Sequence, residues 1–128
     1  MRNTGYKQKE FTGPTKRYCQ TLDLKDDPEL IRRYIETHDE SHFWPEIGVG
    51  IRSVGILEME IYNVGNRLFM IVETPVDFDW DEAFARLAKM PRQEEWETHV
   101  ALFQKAASGA SSSEKWQLMD RIFHVSRP

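Results

Sequence analysis

The chain has one cysteine, Cys19, and a single thiol excludes both an intramolecular disulfide framework and a cysteine-based zinc site. It has no long apolar run. The longest, Leu68 to Val72, falls far short of the ~20 residues a bilayer-spanning helix needs. Excess positive charge is also lacking: 17 Lys and Arg against 21 Asp and Glu leave a net charge of −4 with the signs interspersed. No basic stripe is available to track a nucleic-acid backbone. No basic segment followed by an apolar stretch opens the chain, so the expectation is a cytoplasmic protein of a reducing compartment. A G-x-G-x-x-G turn, a P-loop and a G-x-S-x-G elbow are missing, leaving nucleotide binding and serine hydrolysis without a motif. Aromatic residues, by contrast, are plentiful. Four Trp, four Tyr and seven Phe in 128 residues are too many for a disordered chain. At ~100–200 residues per domain, the chain has length for a single core.

Residues 1–16 are polar and lack a period, with Gly5, Gly13 and Pro14, and are expected to form a flexible tail ahead of one domain over 17–128. Tyr18–Leu24 reads as a strand, with Tyr18, Leu22 and Leu24 on one face and Cys19 and Thr21 on the other. Asp27-Pro28-Glu29 is a helix start, and Leu30, Ile31, Tyr34, Ile35 and His38 follow as one stripe. Trp44-Pro45-Glu46 restarts a helix that buries Ile47, Ile51 and Val54, with Gly55 as its stop. Ile56–Val64 and Arg67–Glu73, joined at Gly65-Asn66, predict a hairpin whose second strand is apolar on both faces. Two helical patterns follow, one with Trp80, Phe84, Leu87 and Ala88, the other opened by Pro91 with Trp96, Val100 and Phe103. A flexible connector is expected over Ala107–Ser113 and a last strand over Gln117–Val125. Two β-α units sharing one antiparallel sheet define an α+β, ferredoxin-like split βαβ fold. Its doubly apolar third strand belongs at the centre, and the charged strands at Ile56 and Gln117 belong at the edges. Helices cover one face of such a sheet, so the other needs a second copy of the chain or a ligand.

Candidate chemistry concentrates near the first helix. Tyr34 and His38 are one turn apart and can reach one pocket, the imidazole as general acid or base and the phenol as a hydroxyl partner. His38 equally fits a helix-end histidine satisfied by the last carbonyls. His38 and His42 have the i,i+4 spacing of two metal ligands, yet Asp39-Glu40-Ser41 does not complete H-E-x-x-H, and no metal or other cofactor is expected. Trp44 lies at a helix junction near His38, whereas Trp80 and Trp96 each begin an apolar stripe and read as core. Trp116 reads as an anchor for the last strand. Glu58, Glu60 and Tyr62 share one strand face, where a carboxylate could supply a second acid or base. Asp77, Asp79 and Asp81 read as helix N-terminal acids.

Arg17-Tyr18-Cys19, Ile31 to His38, Trp44-Pro45-Glu46, Met59 to Tyr62, Asn66 to Phe69, the helix around Trp96 and the ending Leu118 to Phe123 together resemble the L-rhamnose mutarotase family, from about Arg17 to Val125. The resemblance implies a dimeric ferredoxin-like α/β barrel that interconverts the α and β anomers of a 6-deoxy sugar, L-rhamnose or L-fucose, without a cofactor. It makes His38 the proton donor and Tyr34 a substrate contact. The family's tryptophan pair falls on Glu95-Trp96, so only Trp96 carries over as a sugar platform, with Trp44 in the pocket wall. A family tyrosine on the second strand falls at or near Met59. The same fold class also houses cofactor-free monooxygenases and haem-degrading enzymes, and a non-enzymatic binding or dimerisation module is a further alternative; fold alone does not choose.

Overall fold

The computed structural model describes residues 3–106, 110 and 112–126. Four strands, β1 (Thr15–Asp23), β2 (Glu58–Val64), β3 (Arg67–Pro75) and β4 (Gln117–Met119), form one antiparallel sheet in the order β2-β3-β1-β4. Between β1 and β2 come α1 (Pro28–Thr37) and α2 (Pro45–Ser53); α3 (Trp80–Leu87), α4 (Gln93–Ala101) and the short α5 (Ser112–Lys115) follow β3. This is the ferredoxin-like α+β fold.

Strand alternation fixes which face the helices cover. Along β3, Leu68, Met70, Val72 and Thr74 are buried, while Phe69, Ile71 and Glu73 point the other way and are half-buried. Register carries the pattern across the sheet. Gln20 stands opposite Met70 and Leu22 opposite Leu68; Met59 and Ile61 stand opposite Val72 and Met70. The helices pack their apolar stripes on this inner face through Ile47, Val54, Phe84, Leu87, Trp96 and Val100. Burying each such side chain contributes roughly 1.5–3 kcal/mol. The hairpin turns at Gly65-Asn66, where Gly65 alone takes a positive φ of 56°, a conformation open to glycine at little cost.

Several elements depart from the sequence expectation. The last strand ends at Met119, opposite Cys19, and residues 120–126 have no regular structure. Asp120 and Arg121 interrupt the apolar pattern there, and Ile122, Phe123 and Val125 are 96%, 77% and 78% exposed because one chain offers them no apolar surface. Ile35 is also exposed, since Leu30, Ile31, Tyr34 and His38 already fill the inward side of α1. Ala88 is exposed past the end of α3. Pro91 does not occupy the first turn of α4, which begins two residues later after Arg92. Of the connector expected over Ala107–Ser113, residues 107–109 and 111 lie outside the described residues.

Candidate active site

α1 starts where its capping chemistry dictates. Asp27 accepts hydrogen bonds from the Glu29 and Leu30 amides at 2.9 and 3.2 Å, and Pro28 fills a first-turn position that needs no N–H. From that start Tyr34 is carried into the core, 3% exposed, and His38 lies one turn on, beside it. The helix then ends in an uncommon way. The His38 amide reaches the Ile35 carbonyl at 3.1 Å, so the Tyr34 carbonyl is taken up by the His38 side chain, Nδ1 to oxygen at 2.8 Å. A carbonyl only accepts, so Nδ1 bears the hydrogen and Nε2 keeps its lone pair. One nitrogen serves the helix end, and among the described residues no group bonds the other. Burial pushes the His38 pKa below its ordinary 6.5; nearby His99 adds to this, and the carbonyl bond opposes it. The ring is therefore neutral at pH 7.

A cavity of about 510 Å³ lies between the inner sheet face and the helices. Its apolar lining includes Ile47, Ile51, Ile56, Met59, Ile61 and Leu87. Its polar and aromatic lining includes Lys9, Arg52 and Glu58 as well as Tyr34, His38, Gln93, Trp96, Glu97 and Gln104. Three of these come from α4, where Gln93, Trp96, Glu97 and Val100 share one helix face by their spacing. Just before them Arg92 adopts a left-handed φ of 63°, which costs a non-glycine residue roughly 1–2 kcal/mol. Its guanidinium lies 4.1 Å from the Trp44 ring centre and hydrogen-bonds Glu46 at 3.1 Å, tying the starts of α2 and α4 together.

The Trp96 ring lies 5.2 Å from His38, 5.3 Å from Phe43 and 5.2 Å from Trp44, edge-on in each case. Trp44 itself stacks on His99 at 5.4 Å and is not among the cavity-lining residues, so it supports Trp96 from behind. Trp80 packs elsewhere, against Tyr18 and Phe84, and Trp116 is buried and lines the cavity. Glu58 lines the cavity; Glu60 instead accepts from the Tyr62 hydroxyl on the outer face. His42 is exposed and bonded to Asp39, past the end of α1, so the two histidines do not share a helix. Asp79 caps α3 by accepting from the Glu82 amide, while Asp77 precedes that cap and Asp81 lies in the first turn. Among the described residues, no group of three His, Cys, Asp or Glu is placed to hold a metal, and no helix is long and apolar enough to cross a membrane.

Sequence reasoning missed Gln93, Glu97, Gln104 and Lys115. Gln93 Nε2 donates to Glu97 Oε1 at 3.2 Å, and Lys115 Nζ donates to Gln104 Oε1 at 2.7 Å. Lys115 Nζ also lies 2.9 Å from Glu97 Oε2, an ion pair whose angles leave that oxygen without a hydrogen bond. Among the described residues, the buried Gln93 Oε1 has no hydrogen-bond partner either. Burial drives the Tyr34 phenol pKa upward, Glu97 adds to the rise and Gln104 opposes it, so the hydroxyl stays a donor. Gln93 and Glu97 were legible as flanks of Trp96 on one helical face. Gln104 lies past α4 in an isolated bridge to Leu24, and Lys115 ends the four-residue α5; neither carried a periodic signal.

The L-rhamnose mutarotase family model matches residues 17–125. An L-fucose mutarotase from Xanthomonas campestris pv. campestris is 41% identical over 110 residues, covering 86% of this chain and 88% of its own. The crystal structure of an L-rhamnose mutarotase from Formosa agariphila superposes with a TM-score of 0.64 at 18% identity, over 87% of this chain and 99% of that one. A dimeric ferredoxin-like protein from an uncultured marine organism reaches a TM-score of 0.52 at 11% identity, over 86% and 91% of the two chains. At those identities the two structures speak for the fold alone.

Proposed function

The chain belongs to the L-rhamnose mutarotase family, and from that premise we propose that it interconverts the α and β anomers of a 6-deoxy hexose, L-fucose first and L-rhamnose second, in the cavity beside His38. It is an isomerase of the mutarotase type. The observation that carries the substrate class is the family match over residues 17–125. The cavity's mixed apolar and polar lining suits a 6-deoxy pyranose, which carries a C5 methyl group among its hydroxyls. Preference for L-fucose rests on the 41% identity to the Xanthomonas enzyme.

Mutarotation needs protons moved at two oxygens. The ring oxygen gains one as the C1–O5 bond breaks, and the anomeric hydroxyl loses one as the aldehyde forms. Rotation about C1–C2 and reclosure give the other anomer, with no change in oxidation state. His38 Nε2 is the proton carrier at the ring oxygen in this reading. Its lowered pKa makes the imidazolium a readier donor than a free histidine and restores the neutral ring after transfer. Nδ1, held on the Tyr34 carbonyl, fixes the tautomer and aims the ring. The Tyr34 hydroxyl offers a hydrogen bond to a sugar hydroxyl, and Trp96 offers a face for the sugar's C–H surface.

The same reading makes the protein a cytoplasmic homodimer. The outer sheet face carries half-buried Cys19, Phe69 and Ile71, and the segment after β4 exposes Ile122, Phe123 and Val125. A second copy of the chain would cover both. Family membership favours the mutarotase over the monooxygenase and interaction-module alternatives. Optical rotation tests the assignment: protein added to freshly dissolved crystalline L-fucose or L-rhamnose should speed the decay to equilibrium, with D-glucose as control. Decay at the buffer rate with both 6-deoxy sugars would overturn it.

A further inference from the structure

Resting on the mutarotase reading, a second proton-transfer group is still required, and the cavity holds a carboxylate set up for that work. Glu97 lines the cavity from α4, and His38 lines it from the end of α1. Its Oε1 is fixed by Gln93 at 3.2 Å, and its Oε2 faces the ammonium of Lys115 at 2.9 Å without a formal hydrogen bond. The Lys115 side chain is 1% exposed, so its charge is affordable only against that carboxylate and the Gln104 amide. Buried ion pairs are poor stabilising devices, because apolar residues of like volume serve as well or better. One that borders a ligand-sized cavity therefore points to chemistry. Glu97 also bears on the buried Tyr34 phenol, which places the carboxylate within the same polar cluster as the α1 site.

We propose that Glu97 is the second proton-transfer group of the reaction, acting on the anomeric hydroxyl, and that Lys115 is the residue that positions it. The protons balance as follows. The His38 ring, neutral at rest, takes up a proton from solvent on Nε2, and the imidazolium so formed gives that proton to the ring oxygen as the C1–O5 bond breaks. The Glu97 carboxylate takes the proton of the anomeric hydroxyl, leaving an open-chain aldehyde, neutral His38 and protonated Glu97. After rotation about C1–C2, O5 attacks C1 and returns its proton to His38, and Glu97 reprotonates the carbonyl oxygen. His38 releases that proton to solvent, and both groups end as they began.

The test compares E97Q, E97D and the double variant E97Q/K115M with the wild type, by anomeric exchange of L-fucose at a series of sugar concentrations. E97Q leaves the Lys115 charge buried alone and could fail to fold; the double variant removes both charges, and E97D keeps the pair. The expected result is kcat lower by ~10²–10⁴-fold in E97Q and in the double variant, with KM within about threefold of wild type. E97D should recover at least about tenfold over E97Q, a rescue that a purely structural glutamate would not require. A double variant that exchanges within about threefold of the wild-type rate, or an E97D no faster than E97Q, overturns the role of Glu97. A wild type that exchanges no 6-deoxy sugar overturns the mutarotase reading and this one together.

Discussion

Replacing His38 separates two jobs, because each ring nitrogen has a different one. Nδ1 holds the Tyr34 carbonyl at 2.8 Å, a group the helix's own amides leave unused, while Nε2 is the proposed proton carrier. In His38→Ala both are lost. The carbonyl is left without its bond, which costs about 1–3 kcal/mol, and the contacts of the ring with Tyr34, Phe43 and Trp96 go too. In His38→Asn the side-chain amide occupies the place of Cγ–Nδ1 and can still donate to Tyr34, but nothing replaces Nε2. The two variants should therefore differ in stability by about 1–3 kcal/mol, with Asn the more stable, while both lose exchange activity by ~10²–10⁴-fold. Against a domain stability of about 5–15 kcal/mol, both should remain folded. Urea unfolding followed by tryptophan fluorescence reads the first quantity, and anomeric exchange reads the second. Equal stability of the two variants would refute the capping role of Nδ1. Near-normal exchange in His38→Asn would refute Nε2 as the carrier.

Two further outcomes follow from the same geometry. The folded state lowers the His38 pKa below 6.5, so it binds fewer protons there than the unfolded chain. The stability this contributes is complete above about 6.5 and is lost as pH falls through the lowered value; the urea midpoint of wild type should drop more than that of His38→Asn between about pH 7.5 and about pH 5.5, and equal drops would contradict the buried neutral ring. Light scattering should give about twice the 15.1 kDa chain mass, and Ile71→Glu, placing a charge mid-way along the outer face of β3, should halve it; a monomeric wild type would contradict the homodimer.

The sheet was legible because its signals are local and redundant. Period-two alternation in Arg67–Glu73, with apolar residues on both faces, specified a central strand, and Gly65-Asn66 specified the turn into it. Asp27-Pro28 placed the start of α1 and so brought Tyr34 and His38 together. The last strand misled because its apolar residues extend beyond the pairing that one chain can supply. At the site, Trp96 announced itself as an aromatic on a helical stripe and as part of a family motif. Trp44 was read as a pocket-wall residue near His38, whereas its ring contacts are with Trp96 and His99 and it is absent from the cavity lining; chain direction alone could not reveal that. Glu97 and Lys115 lie on two different helices, α4 and α5, and no spacing rule joins two such residues.

The central claim is that this cavity opens and recloses the ring of a 6-deoxy sugar. Saturation transfer between the α and β anomeric protons of L-fucose and L-rhamnose at equilibrium, with a catalytic amount of protein, measures that event itself. The account predicts transfer faster than in buffer for at least one of the two with wild type, and transfer at the buffer rate with His38→Asn. Wild-type protein that leaves both sugars exchanging at the buffer rate would contradict it.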